Sequence, residues 1–189
     1  AAMIDVLCVD KTGTLTENSL GVGHVMPLVE TMSDAVLLAQ AAAASSTNGQ
    51  DPVDTAIRTA ASKAVQTGLK VLRFTRFDPA AKMAEAIIAG PGGEEIRIAK
   101  GSPIAISALA PFSPEAKAAV SALSGEGYRV LAVATGTTGK MAVIGLIGLS
   151  DPPRADSRPR HGELKTLGIT PVMITGDTAE TAKTIAHAI

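Results

Sequence analysis

Asp10-Lys11-Thr12-Gly13-Thr14-Leu15-Thr16 follows an apolar run, Ile4-Asp5-Val6-Leu7-Cys8-Val9, and the reading of the fold starts at that junction. The apolar run predicts a buried β-strand, with Cys8 as a small core residue. An acid at the end of such a strand, followed by Lys11, Thr12, Gly13, Thr14 and Thr16, is an unusual thing to build for stability alone. The pattern predicts a tight turn in which backbone N–H groups surround Asp10 and Gly13 lets the backbone approach a phosphate closely. A carboxylate so placed can attack phosphorus. The plain alternative is a strand ended by an Asx-turn, with Lys11 solvated.

The chain has 189 residues and a formal net charge of −1. That length allows one domain or two small ones, with enough residues to bury a sizeable core. The near-neutral balance supplies no bulk attraction to nucleic acid. Cys8 is the one cysteine, so no internal disulfide can form, which suits a reducing compartment. No signal-peptide pattern opens the sequence, and no apolar run is long enough to span a membrane. The longest candidate, Val130 to Leu149, is broken by Thr135-Gly136-Thr137-Thr138-Gly139-Lys140 and predicts two strands around a turn. The chain as it stands is therefore expected to be soluble. With three Phe, one Tyr and no Trp, Phe74 and Phe77 become prominent.

Asn18 to Val29 carries Gly21, Gly23 and Pro27 and is expected to leave the first strand as an extended link. Ser33-Asp34 predicts a capped helix to about residue 44, and Asp51-Pro52 a second one to about Gln66, closed by Gly68. Strands are predicted over 71–77, 83–89 and 95–99, the last two joined by Gly90-Pro91-Gly92-Gly93. Short helices follow from Pro103 to Leu109 and from Ser113-Pro114 to Leu123, then strands over 129–134 and 141–149. Beyond Asp151-Pro152-Pro153 the pattern is helix (160–167), buried strand (169–174), then helix from Thr178 to Ile189. The two ends thus supply the parts of a parallel α/β sheet, and the middle supplies a helix pair and an antiparallel sheet. An α/β domain with a second, α+β domain inserted after its first strand fits this order, with pieces 1–20, 21–148 and 149–189.

Asp10 and Thr175-Gly176-Asp177 both end predicted parallel strands, the edge at which open α/β sheets bind ligands. Together they can hold a phosphoryl group and Mg²⁺. Taken alone, Thr175 to Asp177 reads equally well as a helix N-cap. The middle segment has no phosphate loop, because Gly136 to Lys140 lacks the G-x-x-x-x-G-K-[ST] spacing. A nucleotide there would need stacking and scattered charges.

Asp10 to Thr16 resembles the phosphorylation motif of the P-type ATPases, a group of the haloacid-dehalogenase-like superfamily. The resemblance covers nearly the whole chain. It implies an incomplete Rossmann-like phosphorylation domain carrying an inserted nucleotide-binding domain. It further implies Asp10 as phosphate acceptor, Lys11 as a charge neutraliser, and Mg²⁺ held by Asp10 and the main-chain carbonyl of Thr12. Thr175, Gly176 and Asp177 would hold the phosphate. Phe77 and Lys82 are similar to the family's adenine-stacking Phe and pocket Lys. Lys100-Gly101-Ser102-Pro103 resembles its deep-pocket motif, and Arg129 the arginine that reaches the phosphate chain. Asp51 and Asp54 fall where the family places acids near the adenine amino group, and Asp151-Pro152-Pro153-Arg154 matches its hinge. Each of these has an ordinary reading as core, cap or solvated charge. Their shared order along the chain favours the family reading.

Gln50 to Asp54, Phe77-Asp78-Pro79 and Asp151 to Ser157 look most like the proton-pump subgroup. The whole protein is then expected to bind Mg-ATP and move protons or another cation, with this chain on the cytoplasmic side of a membrane beside actuator and membrane domains. The chain stops at Ile189 before any Gly-Asp-Gly-x-Asn-Asp segment, so the phosphorylation domain is expected to be incomplete and the isolated chain nearly inactive. The first strand should then be a bare sheet edge, open to self-association. Two other readings stay open: a nucleotide-binding fragment without catalysis, and a stand-alone phosphatase of the same superfamily.

Overall fold

The computed structural model describes residues 4–49, 51–64, 69–137, 139–176 and 179–189. Two sheets organise it. A two-stranded parallel sheet joins β1 (Val6–Asp10) to β8 (Thr170–Ile174), so the ends of the chain meet. A six-stranded antiparallel sheet runs in the order β2 (Gly21–Pro27), β7 (Lys140–Ser150), β6 (Arg129–Thr137), β5 (Glu95–Gly101), β4 (Met83–Ala89) and β3 (Val71–Asp78). The fold is therefore α/β, with a parallel sheet and a separate antiparallel one.

Local sequence explains most of the elements. Serine caps open α1 (Asp34–Ala43), α3 (Pro103–Ser107) and α4 (Pro114–Gly125): Ser33, Ser102 and Ser113 each accept a hydrogen bond from the backbone N–H three residues on. In α3 and α4 a proline follows the cap, where its missing N–H costs nothing. In α2 (Pro52–Ala64) the Asp51 carboxylate does the same work, accepting from Val53 N at 2.8 Å and Asp54 N at 3.2 Å. The expected end of α2 at Gln66 and Gly68 lies outside the described residues.

The six-stranded sheet is sandwiched. In β4, Ala84, Ala86 and Ile88 alternate with half-buried neighbours, the period of a strand with one covered face. That face, with Ile98, Leu131, Val133 and Ile147, packs on Leu37, Ala41 and Ile57 of α1 and α2. The other face sets Ala99, Ala132 and Leu146 against Ile106 of α3 and Leu123 of α4.

Two expectations are corrected here. Residues 21–27 are a strand, not a link. β2 pairs antiparallel with β7, with a bulge between Val22 and His24. Of the glycines that disguise it, Gly23 makes room for an aromatic: a Cβ there would lie 2.7 Å from Tyr128, and one on Gly148 of the paired β7 3.0 Å from the same ring. The second correction concerns β1 and β8, which form as strands but are not buried. Val6 is 54% exposed and Ile174 55%, and Cys8 is exposed rather than a core residue. Among the described residues the sheet has two strands, with α5 (Ser157–Thr166) and α6 (Ala179–Ala188) against the Val9, Pro171 and Met173 face alone. Apolar runs written for cover on both sides therefore lie open. Among the described residues no helix is long and apolar enough to cross a membrane.

Candidate functional site

After β1 the chain makes one wide turn over Lys11–Leu15, closed by Thr16 N–H donating to the Lys11 carbonyl at 3.1 Å. Gly13 sits at φ +80°, a left-handed conformation that a side chain would strain. Thr16 is fully buried and locks the turn from within, its hydroxyl donating to Asp151 Oδ2 at 2.5 Å and accepting from Gly13 N–H at 3.4 Å.

The turn leaves Asp10 on the surface. Its carboxylate is exposed and, among the described residues, has no hydrogen-bond partner. Lys11 folds inward and is 6% exposed, whereas Thr12 lies outside. The register sets Asp10 opposite Ile174, so Thr175 and Gly176 follow at the same sheet edge. Asp177, expected beside them, lies outside the described residues. No group of three or more His, Cys, Asp or Glu side chains forms a metal cluster among the described residues. Asp10 nevertheless offers exposed, unpartnered carboxylate oxygens, the hard donors that Mg²⁺ takes.

Asp151 ties the two sheets together. One carboxylate oxygen takes the Thr16 hydroxyl and the other takes Ser19 N–H at 3.1 Å. Beside it, Glu17 N–H donates to Pro152 O at 3.0 Å and Arg154 N–H to Leu15 O at 2.9 Å. The two strands of chain linking the sheets thus run side by side, zipped by main-chain bonds. Asp151, expected near the nucleotide, uses both oxygens on this link between the sheets. The Arg154 guanidinium lies 3.6 Å from Asp156, with both side chains half exposed.

The expected nucleotide residues divide into two groups. Lys100 and Asp54 form a buried ion pair, and Lys100 Nζ also donates to Ser45 Oγ at 2.5 Å. Asp54 Oδ2 accepts from Ser46 N–H at 2.7 Å, and the Ser45 hydroxyl donates to Ala41 O at 2.8 Å. Burial pushes the Lys100 pKa below the ordinary lysine value, with the bond to Asp54 and the charges of Asp54 and Asp51 opposing it. Ser45 and Ser46 were missed by the sequence reading, because a Ser-rich stretch signals a loop and nothing more.

Phe77, Lys82 and Arg129 form the exposed group. β3 bulges between Thr75 and Asp78, partners of Glu85 and Met83, so Arg76 and Phe77 together face Ala84. Ala84 in turn pairs with Lys100. Phe77, 43% exposed, therefore stands two strands, about 10 Å, from Lys100 across a small residue. Lys82 is exposed at φ +55°, and its carbonyl accepts Ser102 N–H at 3.1 Å. Gly101 permits that contact: a Cβ there would lie 2.5 Å from the Lys82 carbonyl oxygen. Arg129 begins β6 opposite Leu149, on the α1–α2 side of the sheet.

A separate cleft of about 550 Å³ opens between α1, α2 and β3, lined among others by Ser46, Asn48, Arg58, Phe74 and Arg76. No motif announced it.

A sequence model of the haloacid dehalogenase-like hydrolases matches residues 4–189. The chain is 37% identical over 197 residues to a Methanocaldococcus jannaschii protein assigned as a cation-transporting ATPase, covering 98% of this chain and 24% of that one. It is 34% identical over 201 residues to plasma membrane ATPase 1 of Schizosaccharomyces pombe, covering 98% of this chain and 22% of the other. The chain thus spans about a quarter of the length of the curated relatives it matches. Among solved structures, a zinc-transporting PIB-type ATPase in its E2.Pi state superposes with a TM-score of 0.78 at 26% identity, covering 98% of this chain and 28% of the other.

Proposed function

Because this chain belongs to the haloacid dehalogenase-like hydrolases, in their P-type ATPase form, we propose that it is the ATP-binding and phosphate-accepting part of a cation pump. The observation that carries the reading is Asp10: an exposed carboxylate with no partner among the described residues, at the edge that Thr175 and Gly176 share, on a turn fixed by Thr16 and Asp151.

In this reading residues 21–148 bind ATP, and residues 1–20 and 149–189 receive its phosphate. Phe77 stacks on the base, with Lys82, Lys100, Gly101 and Asp54 bounding the pocket and Asp51 holding α2. Arg129 and Arg154 attract the phosphate chain. Bending at the Leu15–Ser19 and Asp151–Arg154 strands carries the γ-phosphate to Asp10. An Asp10 oxygen bonds to phosphorus, the bond to the bridging oxygen breaks, and ADP leaves with that electron pair. Lys11 offsets charge on the transferring group. Mg²⁺, held by Asp10 and the Thr12 carbonyl, would neutralise phosphate charge when bound. Thr12 cannot activate water at neutral pH, so the aspartyl-phosphate persists until another domain attacks it.

The relatives' names further support a cation as cargo, and the proton-pump likeness points to protons. The whole pump would place this chain on the cytoplasmic side, against membrane and actuator domains. The open edge of β1 also favours self-association of the chain alone, and a sedimentation coefficient that does not change with concentration would count against that.

The test is a single-turnover reaction with γ-labelled ATP and Mg²⁺, quenched in acid. In keeping with the near-inactivity expected of the isolated chain, only a weak acyl-phosphate label, removed by hydroxylamine and lost in Asp10→Asn, is expected. A label that survives Asp10→Asn overturns the assignment. ATP bound without any label on the wild-type chain selects the second reading, nucleotide binding without catalysis. Turnover without a trapped intermediate selects the phosphatase.

A further inference from the structure

The cleft between α1, α2 and β3 is unlike the rest of the surface in charge. The chain carries 17 Lys and Arg against 18 Asp and Glu, yet among the described residues this cleft is lined by Arg58 and Arg76 and by no acid. Among the described residues neither guanidinium has an ion-pair partner. The nearest buried acid on the same helix, Asp54, is already neutralised by Lys100. Two arginines left without counter-ions around one concavity keep an unspent attraction for an anion.

The remaining lining sets what kind of anion. Phe74, half-buried on β3, offers an aromatic surface, flanked by Leu69 and Val71. Ser46, Asn48 and Ser62 supply hydroxyl and amide groups. The wall made by the Ser45–Asn48 loop is held in place, since Ser45 is bonded to Lys100 and Ser46 to Asp54. A volume of about 550 Å³ falls in the range of sites that enclose small organic ligands.

We propose that this cleft is a second ligand site, binding a small phosphorylated aromatic molecule of mononucleotide size, its ring on Phe74 and its phosphate between Arg58 and Arg76. The cleft adjoins the Phe77–Ala84–Lys100 row that the ATP reading uses, sharing the Ser45–Ser46 wall, but its lining includes none of those three residues and it needs neither Asp10 nor Phe77.

Titration calorimetry of the full chain with AMP, adenosine and inorganic phosphate tests it. AMP is expected to bind more tightly than either of its parts, and Arg58→Ala and Arg76→Ala each to weaken it about tenfold or more, the scale of a lost charge-assisted hydrogen bond. Both arginines are exposed, so the fold survives their removal. Because AMP carries the base that the ATP reading stacks on Phe77, the arginine variants are also made in the Phe77→Ala background, where AMP binding is expected to persist and each arginine variant still to weaken it about tenfold. Three results overturn the proposal: no AMP binding at millimolar concentration, phosphate binding as tightly as AMP, or AMP affinity lost in Phe77→Ala and intact in the arginine variants. The last of these leaves the ATP reading standing. Absence of label at Asp10 strikes that reading alone and leaves the cleft site untouched.

Discussion

Lys100 on β5 and Asp54 on α2 form an ion pair with 3% and 7% of their side chains exposed. It joins the sheet to the helix pair, and Ser45 and Ser46 complete it from the loop between α1 and α2. Every strong acceptor that Lys100 touches is internal. Removing one partner strands a buried charge, so Lys100→Met is expected to cost about 3–5 kcal/mol of stability. Lys100→Met with Asp54→Leu should recover most of it, because an apolar pair of similar size avoids both desolvation costs. Urea titrations of the two single variants and the double variant measure this. A single-variant cost below about 1 kcal/mol would mean the pair is not buried in solution.

The same pair makes stability depend on pH. Burial lowers the Lys100 pKa in the folded chain, while in the unfolded chain it returns to the ordinary lysine value. Between those two values the unfolded state binds more protons than the folded one, so stability rises with pH. Below the folded pKa the penalty of keeping a buried ammonium is present in full. It is relieved as pH rises through the lowered value toward the ordinary one. The stability difference between wild type and the Lys100→Met, Asp54→Leu variant should therefore shift in favour of wild type as pH rises from the lowered value to the ordinary lysine value. A flat difference would show that Lys100 titrates normally.

Gly101 and Lys82 offer a test of the β4–β5 junction. A Cβ on Gly101 would meet the Lys82 carbonyl oxygen at 2.5 Å and Met83 Cβ at 2.6 Å, both parts of a fixed strand end. Gly101→Ala is expected to destabilise by about 1–3 kcal/mol, the usual cost of overpacking. Lys82, left-handed at φ +55°, should behave in the opposite sense. Lys82→Gly removes a steric penalty of about 1–2 kcal/mol against an unfolded-state entropy cost of about 0.4–1 kcal/mol, so its thermal midpoint is expected to rise slightly, and a lower midpoint would count against strain at Lys82. Equal thermal midpoints for wild type and Gly101→Ala would show that the junction gives way easily.

Asp151 carries a different load. It is the acceptor for a fully buried Thr16 hydroxyl and for Ser19 N–H. Asp151→Ala removes an acceptor from both, leaving the Thr16 hydroxyl only the Lys11 carbonyl at 3.2 Å and the exposed Ser19 N–H to water, for an expected loss of about 1–2 kcal/mol. Hydrogen exchange should report the change locally, with faster exchange at Ser19 N–H and at the neighbouring Glu17 N–H, which bonds to Pro152. Protection in β4 and β5 should stay as it is. Uniform loss of protection across both sheets would show that Asp151 supports the whole fold and not the link between sheets.

What the sequence made legible, and what it did not, follows from where each signal lives. Ser-Pro caps, the alternation of β4 and the glycine turns are written in neighbouring residues, and those elements form within a few residues of expectation. β2 escaped because its Gly23 makes room for Tyr128, more than a hundred positions away, and a local reading takes Gly and Pro as breakers. β1 and β8 misled in the other direction: Val6, Cys8 and Ile174 have the composition of covered strands, but burial depends on what packs against them. At the site, the strand-end Asp10 and Thr175 were readable because parallel pairing brings strand ends together. The Ser45 and Ser46 partners of Lys100 and Asp54, and the convergence of Arg58 and Arg76, are tertiary facts with no periodic trace.

Phe77 is the residue on which base recognition turns in the proposed ATP site. It is 43% exposed in a chain with three phenylalanines and no tryptophan, so few other rings can offer a stacking surface. The bulge in β3 sets it opposite Ala84, whose small side chain leaves space between Phe77 and Lys100. Phe77→Ala is expected to weaken ATP by about 1–3 kcal/mol, the measured scale of a lost base–aromatic stack. Because the ring is half exposed, the same change should move the unfolding midpoint little. Calorimetric titration with ATP, beside a urea titration of the same variant, separates the two effects. Unchanged affinity would remove Phe77 from the site. A loss of affinity matched by a loss of stability would show that the ring supports the fold rather than the nucleotide.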